Sequence, residues 1–343
     1  MQRRITASGP LHDEKGRLME TGYATSLIRQ YDRRRIAAGA LRIKEWDYYC
    51  VTSERYALAL TIADNGYMGL DSVSLLDFDG PWETTVSKMC LLPRGRRGLP
   101  ADSRQGDVRV SGKGYEISFF NDGKKRRLVG RMDHFRAGEP LQFDVTLSAP
   151  PRDSMVIVTP FPGKPKAFYY NQKINCLRAE GQATLGDKQY LFAPGHSFAV
   201  LDWGRGVWTY DNTWYWGSAS GLIEGVPFGF NIGYGFGDTS AASENMLFYD
   251  GRAHKLSQVT FQIPQKDGKD DFLSPWRFTS DDHRFEMDFT PILDRAAKTD
   301  FKLLCSNQHQ LFGRFTGTAV LDDGRPIAVR DFLGFAEKVR NKW

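Results

Sequence analysis

Two carboxylic acids stand at the ends of the part of the chain that is richest in tryptophan and glycine. Asp202 opens this stretch and Glu244 closes it. Four tryptophans lie between them, Trp203, Trp208, Trp214 and Trp216. Two carboxyl groups in an apolar setting can divide into a general acid and a general base, and tryptophan faces can stabilise a developing cation. The stretch therefore indicates acid–base chemistry on a small molecule.

Further residues complete the candidate site. His254 follows the Asp250-Gly251 turn, shortly after Glu244, and is a third candidate for proton transfer. Large aromatic side chains beside glycines are typical of a pocket wall, and a pocket also needs a few polar groups to orient its ligand. The candidate ligand-binding residues are Trp203, Arg205, Trp208, Trp214, Trp216, Asn231 and Asn245.

The charged residues also have structural interpretations. Asp202 and Arg205 are separated only by Trp-Gly, so a turn would let them form a bidentate ion pair that fixes the backbone. Glu244 and Asn245 could instead bond to free strand edges or turns. Both kinds of interpretation stay open at the level of sequence.

No motif in the sequence indicates a metal or a cofactor. The six histidines are scattered, and none stands at metal-ligand spacing with a second His, Cys or carboxylate. Residues 233–237 lack the Lys-Ser/Thr that completes a phosphate loop, and residues 217–221 lack the centred serine of a nucleophile elbow. We therefore expect neither a metal nor a cofactor.

Composition indicates a folded protein without membrane spans. Of the 343 residues, 41% are hydrophobic, 13% aromatic and 25% charged. No segment has the ~18 consecutive apolar residues of a membrane span, and the N-terminus lacks the apolar core of a secretory signal. Short basic clusters contribute to the net charge of +5, but no nucleic-acid motif accompanies them. We expect a cytoplasmic protein that binds a small molecule, does not bind nucleic acid and has no integral membrane segment.

Hydrophobic periodicity predicts a mainly β fold. Apolar residues alternate with polar ones along residues 141–147, 259–263 and 285–289. Asp-Gly pairs such as Asp122-Gly123 separate the runs and are typical of hairpin turns. Only residues 24–38 carry a helical pattern. The pattern and the length together predict two tandem antiparallel β-barrels with few short helices.

A domain boundary is expected near residue 170. The segment Phe161-Pro-Gly-Lys-Pro165 contains two prolines, which remove ladder donors and break strands. This division gives an N-terminal β-domain over residues 1–170 and a C-terminal β-domain over residues 171–343. The C-terminal domain would then carry the candidate site.

The sequence resembles the bacterial family called domain of unknown function 2804. The resemblance rests on Asp202-Trp-Gly-Arg-Gly, Trp214-Tyr-Trp-Gly, residues 231–238, Glu244-Asn245, residues 250–256 and 312–317, together with Lys44-Glu-Trp-Asp-Tyr-Tyr in the N-terminal half. More remotely, the second half is similar to two-domain lipocalin-like proteins of the hydroxyneurosporene synthase type. That resemblance implies two lipocalin-like barrels, in a group whose carotenoid hydratases and fungal cyclases bind apolar polyenes.

Three functions fit the residues. The first is binding of a small apolar or amphipathic molecule in an aromatic-lined barrel. The second is a cofactor-independent hydratase, dehydratase or isomerase in which Asp202 or Glu244 protonates the substrate. The third is a carbohydrate-active protein with paired carboxylates, because tryptophans also stack on sugar rings. Exposed tryptophans among polar residues would favour sugar, and a dry aromatic enclosure would favour the apolar ligand.

The cysteines give a prediction that the sequence alone generates. Cys50, Cys90, Cys176 and Cys305 are far apart and show no paired spacing, so we expect four reduced thiols. Alkylation under denaturing, non-reducing conditions should label all four, as counted by intact mass. Labelling of two or none would show that disulfides are present.

Overall fold

Two large antiparallel sheets contain most of the chain in the computed structural model, which describes residues 2–300 and 305–342. The strands up to the end of the first sheet are β1 (Gly9–Pro10), β2 (Gly22–Ala24), β3 (Arg29–Gln30), β4 (Ile43–Thr52), β5 (Tyr56–Asp64), β6 (Met68–Asp77), β7 (Trp82–Leu91), β8 (Val108–Gly112), β9 (Tyr115–Asn121), β10 (Arg126–Arg136), β11 (Glu139–Ser148), β12 (Met155–Pro160), β13 (Phe168–Leu185), β14 (Lys188–Phe192) and β15 (Phe198–Val207). The remaining strands are β16 (Asp211–Ile223), β17 (Val226–Tyr234), β18 (Met246–Tyr249), β19 (Arg252–Lys255), β20 (Val259–Gln262), β21 (Gln265–Lys266), β22 (Lys269–Asp270), β23 (Trp276–Ser280), β24 (Phe285–Asp300), β25 (Cys305–Val320) and β26 (Pro326–Lys342). The predicted mainly β, antiparallel fold is confirmed.

Both sheets are strongly curled. The first has the strand order β7-β6-β5-β4-β15-β13-β11-β10-β9-β8, and curling brings β7 against β10. The second has the order β19-β18-β17-β16-β26-β25-β24-β23-β20, and its β17 approaches β20. Because side chains alternate between the two faces of a strand, each curled sheet has an inner face that fills a barrel-like core and an outer face.

The inner faces form separate hydrophobic cores. The first core contains aliphatic rows such as Leu58, Leu60 and Ile62 on β5. The second is dominated by phenylalanines, among them Phe230 and Phe278. Alternating apolar residues on the strands produce both cores, as the periodicity of residues 141–147 and 285–289 predicts.

The outer faces of the two sheets pack against each other. One contact cluster joins residues of the first sheet, Tyr48, Cys50 and Val200, to residues of the second, Trp216, Phe312 and Phe335. A neighbouring cluster joins Met155, Ile157 and Tyr169 to Phe236, Met246 and Phe248. Strands at this contact, such as β15, are therefore buried on both faces.

The chain passes from the first sheet to the second later than the sequence predicts. Position 170 lies inside β13, and the first sheet continues to Val207, the end of β15, which pairs with β4. The proline-containing residues 161–165 form the short connection between the paired strands β12 and β13. Proline breaks the strand here but does not separate two sheets, because the chain turns back along the strand that it has just left.

The helix expected over residues 24–38 does not form. This segment contains the short strand β3 and one 3-10 turn at Arg33–Arg35, whose N-cap Asp32 accepts a hydrogen bond from the backbone N–H of Arg34. Its apolar residues Leu27, Tyr31 and Ile36 are buried in the first core. Contact with the barrel therefore outweighs the local helical pattern. No helix in the described part of the chain is long and apolar enough to cross a membrane.

A bulge in β13 provides hydrogen bonds between the two sheets. The register with β15 shifts between Ile174 and Leu177, and the bulged Asn175 reaches across to the second sheet. Its Nδ2 donates to Ser218 Oγ at 2.8 Å and to the Phe230 carbonyl at 3.0 Å, both fully buried. The bulge therefore places one amide in a position to bridge β16 and β17.

Replacement of this amide should destabilise the protein. Asn175→Ala leaves buried acceptors without their donor, so we expect a loss of about 1–3 kcal/mol in the free energy of unfolding, measured by denaturant titration. The exposed strand residue Asn307 provides a matched control, and Asn307→Ala should change stability by less than about 0.5 kcal/mol. Equal effects of the two substitutions would contradict the bridging role.

Candidate functional site

The tryptophan-rich stretch is divided between the two sheets. Its first part forms β15 of the first sheet, and its later parts form β16 and β17 of the second sheet. Because alternate residues point to opposite faces, Asp202 and Gly204 lie on the outer face of β15, whereas Trp203 and Arg205 point into the first barrel. The candidate residues thus separate into two groups that do not share a site.

Arg205 does not pair with Asp202. Its guanidinium group is fully buried in the first barrel and donates to Asp47 Oδ1 at 3.0 Å and to the Pro100 carbonyl at 2.6 Å. The ring of Trp203 lies 4.2 Å from the guanidinium carbon. The expected Asp202–Arg205 ion pair is wrong because residues three apart on a strand face opposite sides. Trp203 and Arg205 instead belong to the packed interior of the first sheet.

Lys173 is the centre of a buried charged cluster between the sheets. The strand register sets Lys173 on β13 directly beside Asp202, and its Nζ lies 3.2 Å from Asp202 Oδ1. From the loop that precedes β18, Glu244 Oε2 approaches the same Nζ at 3.9 Å, and the ring centre of Trp216 on β16 lies 4.0 Å away. One ammonium group thus contacts carboxylates and an aromatic face from both sheets.

Asp202 is held by donors on two sides. Asn171 Nδ2 donates to Oδ1 at 2.5 Å, and Trp46 Nε1 donates to Oδ2 at 3.1 Å. The Trp46 ring lies so close to the backbone of β15 that a Cβ at Gly204 would stand 1.9 Å from it. Gly204 is therefore required for the indole to reach the carboxylate.

Asn231 connects Trp216 to Glu244. Its Oδ1 accepts a hydrogen bond from Trp216 Nε1 at 2.7 Å, and its Nδ2 donates to the Glu244 carbonyl at 2.8 Å. The neighbouring Asn245 accepts from the Gly233 N–H at 2.7 Å and donates to the Ser257 carbonyl at 2.8 Å. Asn245 thus bonds to backbone, whereas Asn231 and the Glu244 carboxyl group face the cluster.

A third carboxylic acid, Glu337, lies beside this group and was missed in the sequence. It stands opposite Trp216 in the register of β16 and β26. Its Oε1 accepts from Trp214 Nε1 at 3.1 Å, and its Oε2 accepts from Gln310 Nε2 at 2.9 Å. The available signal was a glutamate in the otherwise apolar run Phe335-Ala-Glu, but only strand pairing shows that this run meets Trp216.

Burial changes the protonation of these acids. It raises the pKa of Glu337 to about 7, with a smaller contribution from the charge of Asp202 and an opposing one from the Trp214 hydrogen bond. It also raises the pKa of Glu244, where Asp202 adds to the rise and Lys173 opposes it. The pKa of the Tyr169 hydroxyl is raised in turn by burial and by the nearby Glu244, Asp202 and Glu337. The cluster can therefore hold an exchangeable proton near neutral pH.

The other predicted residues take different places. His254 lies apart from the cluster, where its Nδ1 accepts from the Asp322 N–H at 3.2 Å, and burial lowers its pKa. Trp208 packs against Trp46, with ring centres 5.0 Å apart, and against Trp214 at 6.2 Å. Of the proposed catalytic residues, the structure thus brings Asp202 and Glu244 together and leaves His254 outside. Among the described residues, no three His, Cys, Asp or Glu side chains form a group suited to a metal ion.

A small cleft adjoins the cluster. It has a volume of about 10 Å³ and is lined by Val200, Ser218, Phe335 and neighbouring residues of both sheets. Each of these three residues has a member of the cluster two positions away on its own strand, namely Asp202, Trp216 and Glu337. Residues two apart on a strand point to the same face, so the cleft and the cluster lie on the same faces of the strands. The cleft has room for about one water molecule.

Two solved structures share this fold. An AttH-like protein from Nitrosomonas europaea superposes with a TM-score of 0.57 at 14% identity, covering 87% of this chain and 92% of that one. Kievitone hydratase from Nectria haematococca gives a TM-score of 0.51 at 11% identity, covering 92% of this chain and 95% of that one. No curated protein matches the chain in sequence.

Fold and site together define a β-protein in which two curled sheets enclose a carboxylate–lysine cluster at their contact. The chain belongs to the family described as Domain of unknown function (DUF2804), which it matches over residues 2–343. The family predicted from the sequence motifs is therefore confirmed, and both structural neighbours agree with the remote lipocalin-like resemblance.

The raised pKa of Glu337 gives a testable pH dependence of stability. The folded protein binds this proton more tightly than the unfolded chain, whose glutamate pKa is 4.5, so the contribution is full below pH 4.5 and is lost as the pH rises through about 7. We expect the stability difference between the wild type and Glu337→Gln to shift by on the order of 3 kcal/mol across that interval. Parallel stability–pH curves from denaturant titrations would contradict the shift.

Proposed function

We propose that the protein binds a small apolar or amphipathic molecule between its two sheets and transfers protons to and from it. The reaction would be hydration, dehydration or isomerisation without a cofactor. The observation that carries this proposal is the buried cluster in which Asp202 and Glu244 approach Lys173 and Glu337 bonds to the neighbouring Trp214. Three carboxyl groups around one lysine favour retention of a proton, and that proton is available for catalysis.

The geometry supports different roles for two of the acids. Glu337 has a pKa of about 7, which suits a general acid that donates near neutral pH. Asp202 accepts hydrogen bonds from Asn171 and Trp46 and lies 3.2 Å from Lys173, so its carboxyl oxygens are already oriented by donors. We assign proton donation to Glu337 and the role of the base to Asp202. Glu244 and Lys173 set the charge balance around them.

The surroundings favour an apolar ligand over a sugar. Trp216 is only 5% exposed, and Trp208 is equally buried among aromatic rings. Tryptophans that bind sugars by stacking present an open face, whereas these rings are covered by Lys173 or by other aromatic rings. The carbohydrate alternative therefore has less support than an aromatic-enclosed small molecule.

Two further observations support water addition or removal. The cleft beside Val200 and Phe335 has space for about one water next to the acid cluster. One of the proteins with a similar fold, kievitone hydratase, is by its name a hydratase. At 11% identity this likeness supports the choice of reaction class without identifying a substrate.

The proposal is tested by incorporation of labelled water. Purified protein is incubated in H₂¹⁸O with a panel of isoprenoid and aryl alkenes and the matching alcohols, and products are followed by mass spectrometry. We expect at least one compound to gain or exchange labelled oxygen, and Glu337→Gln to reduce the rate by about 10²–10⁴-fold. Asp202→Asn should be similarly impaired.

A control variant separates this effect from a general loss of charge. Asp144 is a partly exposed strand carboxylate that pairs with Arg127 far from the cluster, and Asp144→Asn should retain the full rate. Saturable binding of a panel compound without turnover would leave only the binding function. Equal rates in wild type and Glu337→Gln would exclude the assigned acid.

A further inference from the structure

The ring of Phe236 occupies a box of aromatic side chains between the two sheets. Its centre lies 4.7 Å from Tyr169, 4.7 Å from Trp208 and 5.3 Å from Trp214, with interplanar angles of 75°, 88° and 79°. Phe161 completes the enclosure at 5.5 Å. Edge-to-face contacts on several sides are the arrangement that best accommodates one planar six-membered ring.

The box is connected to each carboxyl group of the proposed site. Trp46 stacks on Tyr169 with ring centres 6.1 Å apart and donates its indole N–H to Asp202. Trp214, another wall of the box, donates its indole N–H to Glu337. Glu244 influences the pKa of Tyr169. A ring held in the box would therefore stand one side chain away from the proton donor, Glu337, and two side chains away from the base, Asp202.

Phe236 lies on a loop whose backbone conformation depends on two glycines. It follows the end of β17, and it stands between Gly235 with φ of 91° and Gly237 with φ of 77°, conformations that favour glycine. The two glycines thus place the Phe236 ring in the box through backbone conformations that residues with a side chain rarely adopt. The Phe236 ring is contributed by a loop, as are the walls Trp208 and Phe161, whereas Tyr169 and Trp214 lie on β13 and β16.

We propose that this aromatic box is the binding site for a planar ring of the substrate, and that the Phe236 side chain fills it until the substrate displaces it. The assignment deepens the proposed function, since it names the substrate as a molecule that carries a phenyl-sized aromatic or conjugated ring. A role of the ring site in a reaction rests on the proposed function, but binding of a ring to the site can be measured without turnover.

Removal of the plug should expose the ring site to a small probe. p-Cresol binding is measured by titration calorimetry to the wild type, Phe236→Ala and Phe272→Ala. Phe272 is the matched control, because it is also a loop phenylalanine stacked on another aromatic ring, His309, but in the second barrel. We expect Phe236→Ala to bind p-cresol at least about tenfold more tightly than the other two proteins, equivalent to ~1.4 kcal/mol. Cyclohexanol, which is similar in size but not planar, should bind more weakly than p-cresol.

The outcomes separate this inference from the proposed function. No saturable p-cresol binding in folded Phe236→Ala, equal binding in Phe272→Ala, or equal binding of cyclohexanol would overturn the ring site. If Phe236→Ala does not fold, Phe236→Val is measured with the same expectation and the same contradicting results. The double variant Phe236→Ala with Glu337→Gln should keep p-cresol binding. Ring binding without turnover of any aryl substrate by the wild type would keep the ring site and contradict only proton transfer to such a substrate.

Discussion

The placement of one ammonium group, that of Lys173, between two sheets is the constraint on which the rest of the site depends. A buried charge is costly unless opposite charges and hydrogen bonds compensate it. The first sheet supplies Asp202, the loop that leads into β18 of the second sheet supplies Glu244, and the face of Trp216 on β16 covers a further side. Neither sheet alone compensates the buried charge of Lys173, so the charged cluster requires that the two outer faces meet in one register. The bulge at Asn175, which bonds across the same contact, helps to set that register.

The contact of two outer faces also explains the composition of the tryptophan-rich stretch. Strands that are buried on both sides need a second apolar face, and tryptophan supplies area together with an N–H that can bond to a carboxylate. Trp46 and Trp214 use this N–H on Asp202 and Glu337, respectively. A ring of this size lies over the neighbouring strand of its own sheet only where that backbone is bare, as Trp46 does over Gly204. Aromatic residues, glycines and acids therefore occur together because all three are needed to join two sheets around buried charge.

Local hydrophobic alternation predicted the strands, whereas the pairing of strands distant in sequence determines which residues form the site. Alternation along residues 141–147 predicts β11 correctly, since it reflects the inner face of a single strand. The expected Asp202–Arg205 pair failed because closeness in sequence is not closeness on a strand, whose side chains alternate. The boundary near residue 170 failed because proline marks a turn without stating whether the next strand returns to the same sheet. Glu337 is recognised only after β26 is paired with β16, and no local property of its segment shows that pairing. The motifs nevertheless predicted the family correctly.

The central claim is that the contact between the sheets keeps a carboxylic acid protonated near neutral pH. Infrared difference spectroscopy measures this directly, because the C=O stretch of a neutral carboxyl group is distinct from the carboxylate bands. We expect a neutral-carboxyl signal that persists at about pH 6, where exposed acids are ionised, titrates near pH 7 and is lost in Glu337→Gln. Complete ionisation of all carboxyl groups at about pH 6 in the folded wild type would contradict the claim, because Glu337 would then titrate like an ordinary glutamate, whose pKa is 4.5.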